Sequence, residues 1–327
     1  MTFKGFILKT VYPLLERLPP AWTSKAKIIG NVLMNDWQMG PITFFDIRRT
    51  MPETEAKSFF DTTDEETMML LHRQYVLGEM AVDGAHTRRF FFNHTGLLCP
   101  HSRETIKMIR KARRLFTRKT GLNDFGPETF YYKHGLVFLE QKQREYIKER
   151  AFIDAGAYLG ESILALLEGQ PSHIYSFEPC PRNYRQILNT IARNKLDASK
   201  ITVVQKGLGE HEQTLHVKDT EGCNANISLK GDVAWEITTI DNFDRQHPMK
   251  LGFIKADVEG EALNLLKGAL NVIRRDRPIL SIAVYHTADE FLGIPKLLSS
   301  LNYKVRLRCL NPLSVLGEIT VLATPND

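Results

Sequence analysis

The chain has 327 residues, 43% hydrophobic and 25% charged, which fits one large or two ordinary folded domains and excludes a disordered or collagen-like chain. No apolar run approaches the ~20 residues of a membrane span, and residues 1–18 are too often broken by charge and proline for a signal-peptide core. Cys99, Cys180, Cys223 and Cys309 form no C-x-x-C pair, which disfavours a disulfide scaffold or a zinc site and makes a reducing cytoplasm the default. The net charge of +5 is uneven: residues 1–125 hold 19 Lys and Arg against 13 Asp and Glu, the remainder 24 against 25.

In chain order, residues 12–18 read as a short helix closed by Pro19-Pro20, and residues 64–80 as a longer one with Asp64, Glu65 and Glu66 in its first turn. Asp83-Gly84 marks a turn, and residues 89–92 suit a strand. Ser102 has the chemistry of an N-cap for a helix running to 119. On that helix Ile106, Ile109 and Phe116 share a face, while Arg103, Lys107, Arg110, Lys111, Arg114 and Arg118 crowd the others. Its basic side is either a solvated face or a contact for an anionic acceptor or an anionic membrane surface. Nucleic acid is disfavoured, because no aromatic-rich binding strand or zinc spacing accompanies the charge. Residues 120–127, rich in Gly, Asn, Asp and Pro, form the linker. Residues 1–125 are thus expected to be a mainly helical accessory region and 126–327 a second domain.

That second part is predicted to open with a hairpin, 129–132 against 136–139, followed by a polar helix over 140–150. Strands 151–154, 173–177 and 201–204 then alternate with helices 161–168 and 181–195, the pattern of a doubly wound, mostly parallel α/β sheet. Residues 207–250 break the rhythm and read as an inserted antiparallel ribbon with strands near 214–217 and 237–240. It resumes with strand 251–256, helix 261–274, strand 279–285 and helix 289–301. Strands 303–308 and 318–323 close the chain as an antiparallel edge.

The most informative stretch is 151–162, a buried strand, a turn hinged on Gly156 and Gly160, and a helix start. Its glycines are spaced G-x-x-x-G, unlike the dinucleotide fingerprint G-x-G-x-x-G. Asp154 would repel a pyrophosphate but suits a cationic cofactor such as S-adenosylmethionine. Glu178 follows the second strand, where an acid typically holds ribose hydroxyls, and Gly207 is placed to pass close to an adenine ring. Lys255, Asp257 and Glu259 alternate at the end of the fourth strand and would share one face while it stays extended. Asp257 or Glu259 is a candidate base, with His286 as another and Lys255 as a partner. A Lys255–Asp257 ion pair is the purely structural reading; a metal on Asp257, Glu259 and His286 is an alternative not adopted.

The stretches Asp154-Ala-Gly-Ala-Tyr-Leu-Gly160, Phe177-Glu-Pro-Cys-Pro181, Thr239-Ile-Asp-Asn-Phe243, Phe253-Ile-Lys-Ala-Asp-Val-Glu-Gly-Glu261, Leu266-Lys-Gly-Ala269 and Arg277-Pro278 occur in this order. Together they make residues 152–323 resemble the FkbM family of S-adenosylmethionine-dependent methyltransferases. The resemblance implies a class I, Rossmann-like methyltransferase fold, with Ala157, Tyr158, Ser162 and Pro179 joining Asp154, Gly156, Gly160 and Glu178 at the cofactor. It implies a hydroxyl acceptor, on a sugar of a surface polysaccharide or on a secondary metabolite. Tyr158 departs from the small polar residue expected there. Asp257-Val-Glu-Gly differs from the Asn/Asp-Pro-Pro-aromatic motif of base-methylating enzymes. A non-catalytic scaffold of the same fold and a nicotinamide-dependent oxidoreductase are the alternative readings, the second disfavoured by the glycine spacing and Asp154.

Overall fold

The fourth strand of the sheet, residues 251–256, is buried at every position, the pattern of a strand covered on both faces. The computed structural model describes residues 47–48, 50–82, 102–122, 125–217, 233–312 and 318–326. The predicted helix at 12–18, turn at 83–84 and strand at 89–92 lie outside the described residues. The N-terminal elements are α1 (Glu53–Ala56), α2 (Glu65–Val82), α3 (Arg103–Thr120), α4 (Pro127–Phe130) and α5 (Gln141–Ile147). Then come β1 (Ala151–Ala155), α6 (Glu161–Leu166), β2 (His173–Phe177), α7 (Pro181–Arg193), β3 (Ile201–Val204), β4 (Gly207–Leu208), β5 (Gln213–Val217) and β6 (Val233–Thr238). The chain ends with α8 (Ile240–Gln246), β7 (Leu251–Ala256), α9 (Ala262–Lys267), α10 (Leu270–Asp276), β8 (Ile279–Ala283), α11 (Ala288–Ser300), β9 (Tyr303–Cys309) and β10 (Ile319–Pro325).

Seven strands form one sheet in the order β3-β2-β1-β7-β8-β10-β9. β1, β2, β3, β7 and β8 run parallel, and β10 is antiparallel to both of its neighbours. The predicted doubly wound fold is therefore present. Alternate residues of β1 face opposite layers: Phe152 packs with Ile163, Ile187 and Ile191, whereas Ile153 and Ala155 pack with Phe243, Leu265 and Phe291. Strands β1 to β3 extend to one side and β7 starts on the other, so the crossovers part at the β1–β7 boundary. A sheet of this kind binds ligands outside the carboxyl ends of its strands at that boundary.

Three local expectations are corrected. Residues 129–139 are not a hairpin. Pro127 opens the short helix α4, where its missing N–H costs nothing, and left-handed His134 and Gly135 fold the next residues into 3-10 turns. The 207–250 region is a separate three-stranded sheet, β4-β6-β5, in which β4 pairs parallel to β6. Its last predicted strand ends at Thr238, because Thr239 caps α8 by accepting from Asn242 N at 3.0 Å. The helix expected over 261–274 is broken into α9 and α10 at Gly268, where any side chain would collide with the Gly209 carbonyl oxygen. The expected antiparallel edge is present, with β9 outermost and β10 antiparallel to both β9 and β8.

That edge is covered, which blocks pairing with another chain. Leu70, Leu71 and Tyr75 of α2 share a core with Val305 and Leu307 of β9. Arg308 clasps Asp64 through two hydrogen bonds of 2.8 Å, and Arg306 pairs with Asp61 at 2.9 Å. Among the described residues no helix is long and apolar enough to cross a membrane.

Candidate active site

The turn after β1 is built by close approach. Gly156 has φ 72°, and a Cβ there would run into the carbonyl oxygen of Asp257, so only glycine lets the ends of β1 and β7 touch. The N–H groups of Gly156 and Ala157 both donate to Phe177 O at 3.1 Å, tying the turn to β2. Gly160 caps α6 in the left-handed region. The result is a cleft of about 450 Å³ at the carboxyl edge of the sheet.

Asp154 does not open into that cleft. It is fully buried, and in the β1–β7 register it faces Lys255. Lys255 Nζ lies 3.2 Å from its Oδ1, and Ser162 and Ser176 donate to its Oδ2 at 2.7 and 3.2 Å. The lysine also donates to Ala155 O and Gly156 O at 3.1 and 2.6 Å. Burial opposes its charge, yet Asp154, Asp257 and Glu161 together outweigh burial and lift Lys255 above the ordinary lysine value. The expected direct meeting of Asp154 with a cationic ligand is thus replaced by an internal ion pair under the turn. The alternative Lys255–Asp257 pair is likewise replaced, since Asp154 is the lysine's cross-strand neighbour.

Of the other predicted cofactor residues, Gly156, Tyr158, Glu178, Pro179 and Gly207 line the cleft; Ala157, Gly160 and Ser162 support it from behind. Glu178 is suspended from the turn. Its two carboxylate oxygens accept from Tyr158 N and Cys180 N, each at 3.0 Å, and burial holds its carboxyl above the usual range. The Asn183 side chain adds a third hydrogen bond to this carboxylate, whose roughly four acceptor sites still exceed its donors.

The predicted base candidates separate. β7 ends at Ala256 and Glu259 turns left-handed at φ 51°, so the extended alternation that would align Lys255, Asp257 and Glu259 stops. Lys255, Asp257 and Glu259 all line the cleft, but His286 stands behind it. Its Nε2 is 3.4 Å from Asp257 and 3.7 Å from Glu259, and its Nδ1 is 3.4 Å from Glu290. Burial opposes protonation there, and these carboxylates outweigh it, so His286 titrates above the ordinary histidine value. Tyr285, whose phenol is pushed far up by burial and by Asp257, keeps its proton and points it at Asp257 from 3.3 Å.

Several lining residues escaped the sequence. Glu161 accepts from Leu159 N at 3.1 Å, and burial raises its carboxyl to about 7; its place one residue after Gly160 was the available signal. Glu128 and Glu318 carried none, because only the sheet brings them together. Burial holds both carboxyls up, and Glu318 pushes Glu128 further. The two buried side chains bond each other, Glu128 donating its proton to Glu318. With Glu178, Asp257, Glu259 and Glu261, seven carboxyl groups line the cleft against the single ammonium of Lys255.

A sheet of this order, with its glycine turn and acid-lined cleft at the β1–β7 boundary, is a Rossmann-like, doubly wound fold with its ligand cleft at the switch point. More narrowly, residues 154–305 match the family model described as Methyltransferase FkbM domain. Among solved structures, the chain resembles methyltransferase FkbM from Methylobacillus flagellatus KT, with 20% identity and a TM-score of 0.55 over 85% of this chain and 60% of that one. The chain therefore spans less than two thirds of that relative, and at this identity the likeness is one of fold. A weaker similarity is to an rRNA methylase from Streptococcus thermophilus, with 11% identity and a TM-score of 0.40, over 61% of this chain and 97% of that one. No curated protein sequence matches the chain.

Proposed function

We propose that this methyltransferase uses S-adenosylmethionine to methylate a hydroxyl group of a small molecule or glycan, such as a sugar of a surface polysaccharide. The observation that carries the reading is Glu178, held beside the β1 turn by two backbone N–H groups and the Asn183 side chain, with acceptor capacity left for a ribose hydroxyl. The residues present fit the cofactor. Gly156 and Gly207 hold no side chain at the cleft wall, and Glu161 and Glu178 supply negative charge for its sulfonium and ammonium. When bound, S-adenosylmethionine supplies an electrophilic methyl group in line with the acceptor.

The chain's own residues then have two tasks. Tyr158, Glu178, Pro179 and Gly207 hold and orient the donor. Asp257 takes the proton of the acceptor hydroxyl, because it lines the cleft and is held by both Tyr285 and His286. His286 positions Asp257 instead of acting as the base, since it is absent from the cleft lining and the carboxylates around it raise its affinity for a proton. The acid lining makes the reacting end of the acceptor uncharged or cationic, so an anionic portion would lie outside the cleft. The division at residue 125 remains part of this proposal, with residues 1–125 meeting the acceptor or a membrane surface. A cytoplasmic site fits the free thiols of Cys180 and Cys309.

Calorimetry with S-adenosylhomocysteine and with NADH tests the reading. The first should bind and the second should not; the reverse would overturn it. Asp257→Asn should then lower turnover by about two to four orders of magnitude, with S-adenosylhomocysteine affinity unchanged.

A further inference from the structure

Helix α3 has two unlike faces. Ile106, Ile109 and Phe116 turn inward onto Phe125, Phe130, Tyr132 and Leu310. Phe116 meets Phe125 edge-on at 5.0 Å, and Phe125, Gly126, Glu128 and Thr129 belong to the cleft wall. The inner face thus fixes α3 beside the mouth of the cleft.

The outer face is basic but not only basic. Lys107, Lys111, Arg114 and Arg118 are exposed, and none of them forms an ion pair with a described residue. On the same side, in line with Lys111 and Arg118 at helical spacing, stand Met108 and Leu115, exposed by 57% and 55%. A helix that is merely solvated has no use for two large apolar side chains inside a cationic stripe. A nucleic-acid contact would use the charges but not the methionine and leucine, and no exposed aromatic residue offers a base a stacking surface on this face. Cations flanking aliphatic side chains on one helix face are what the boundary of a lipid leaflet accommodates, with charges at the headgroups and Met and Leu below them.

We propose that the outer face of α3 is a docking surface for an anionic lipid membrane, which it brings beside the cleft wall. Such binding is peripheral: the charges give it a dependence on anionic lipid and on salt, and Met108 and Leu115 give it a component that salt does not remove.

The test is co-sedimentation of the full chain with phosphatidylcholine vesicles and with vesicles also containing phosphatidylglycerol, at low and high salt. Binding is expected to the anionic vesicles and to weaken with salt. Lys107→Gln, Lys111→Gln, Arg114→Gln and Arg118→Gln combined should lower it by at least about 100-fold, from roughly fivefold per charge. Met108→Ser with Leu115→Ser should lower it by about tenfold and leave the salt dependence intact. All six positions are exposed, and circular dichroism confirms that the variants fold. Equal binding to both vesicle types would overturn the proposal, as would binding unchanged in either variant. Binding of an RNA oligonucleotide without vesicle binding would reassign the face. S-adenosylhomocysteine affinity, followed in the same variants, should not move, so this proposal and the methyl-transfer reading can fail separately.

Discussion

Asp154 and Lys255 occupy facing positions on adjacent parallel strands, and the pair is buried, with only Lys255 reaching the cleft wall. A buried pair adds little when intact, but losing one partner leaves an uncompensated charge, at a cost of about 3–5 kcal/mol. Lys255→Met should therefore lower the denaturant midpoint sharply, and Asp154→Leu added to it should recover most of the loss; a mild effect of Lys255→Met alone would contradict the clasp. The motif around Asp154 was legible in the sequence, but its partner was not. An acid in a glycine turn looks free until the β1–β7 register sets a lysine from 101 positions later against it. Glu161 makes a second residue-scale prediction. Burial raises its carboxyl from the ordinary glutamate range to about 7, so the folded chain binds that proton more tightly than the unfolded chain. The stability this proton gives is complete below the unfolded value and is lost as pH rises through about 7, by roughly 3 kcal/mol. Glu161→Gln should abolish this part of the fall, as measured by denaturation across that window in both proteins.

Strands β1, β7 and β8 were legible because strands buried on both faces leave apolar runs bounded by turn residues. The failures lie where packing overrides local pattern. Helix 261–274 has helical periodicity throughout, and its break at Gly268 exists because the Gly209 carbonyl comes close. The turn pair His134–Gly135 looks like a hairpin tip until Pro127 starts a helix before it. At this scale the docking of α2 on the β9 edge makes a prediction. Burial works against the Asp64 carboxylate, but its bonds to Arg308 and Thr67 win and hold it well below the ordinary range. The stability it contributes is present above the unfolded carboxylate value and is lost as pH falls below it. Asp64→Asn should cost about 3 kcal/mol at neutral pH and flatten the acid limb of the stability curve. Limited proteolysis near residues 61–75 reads the same event. An unchanged acid limb would mean that α2 is held by its apolar face alone.

Across the whole molecule the charges are segregated. Carboxyl groups line the cleft, and the cations stand on α3, one wall away. Composition displayed the basic part plainly, because a contiguous helix carries it. It hid the acidic part, because Glu128, Glu178, Asp257 and Glu318 come from four separate stretches gathered only by the sheet. The central claim is that the β1–β7 boundary holds the methyl donor between the glycine turn and Glu178. Hydrogen–deuterium exchange of the full chain with and without S-adenosylhomocysteine tests the location as well as the binding. The account predicts slowed exchange in the peptides covering 154–162, 176–180 and 205–209, and none in α3. Ligand-dependent protection confined to other segments, or no protection under saturating ligand, would contradict it.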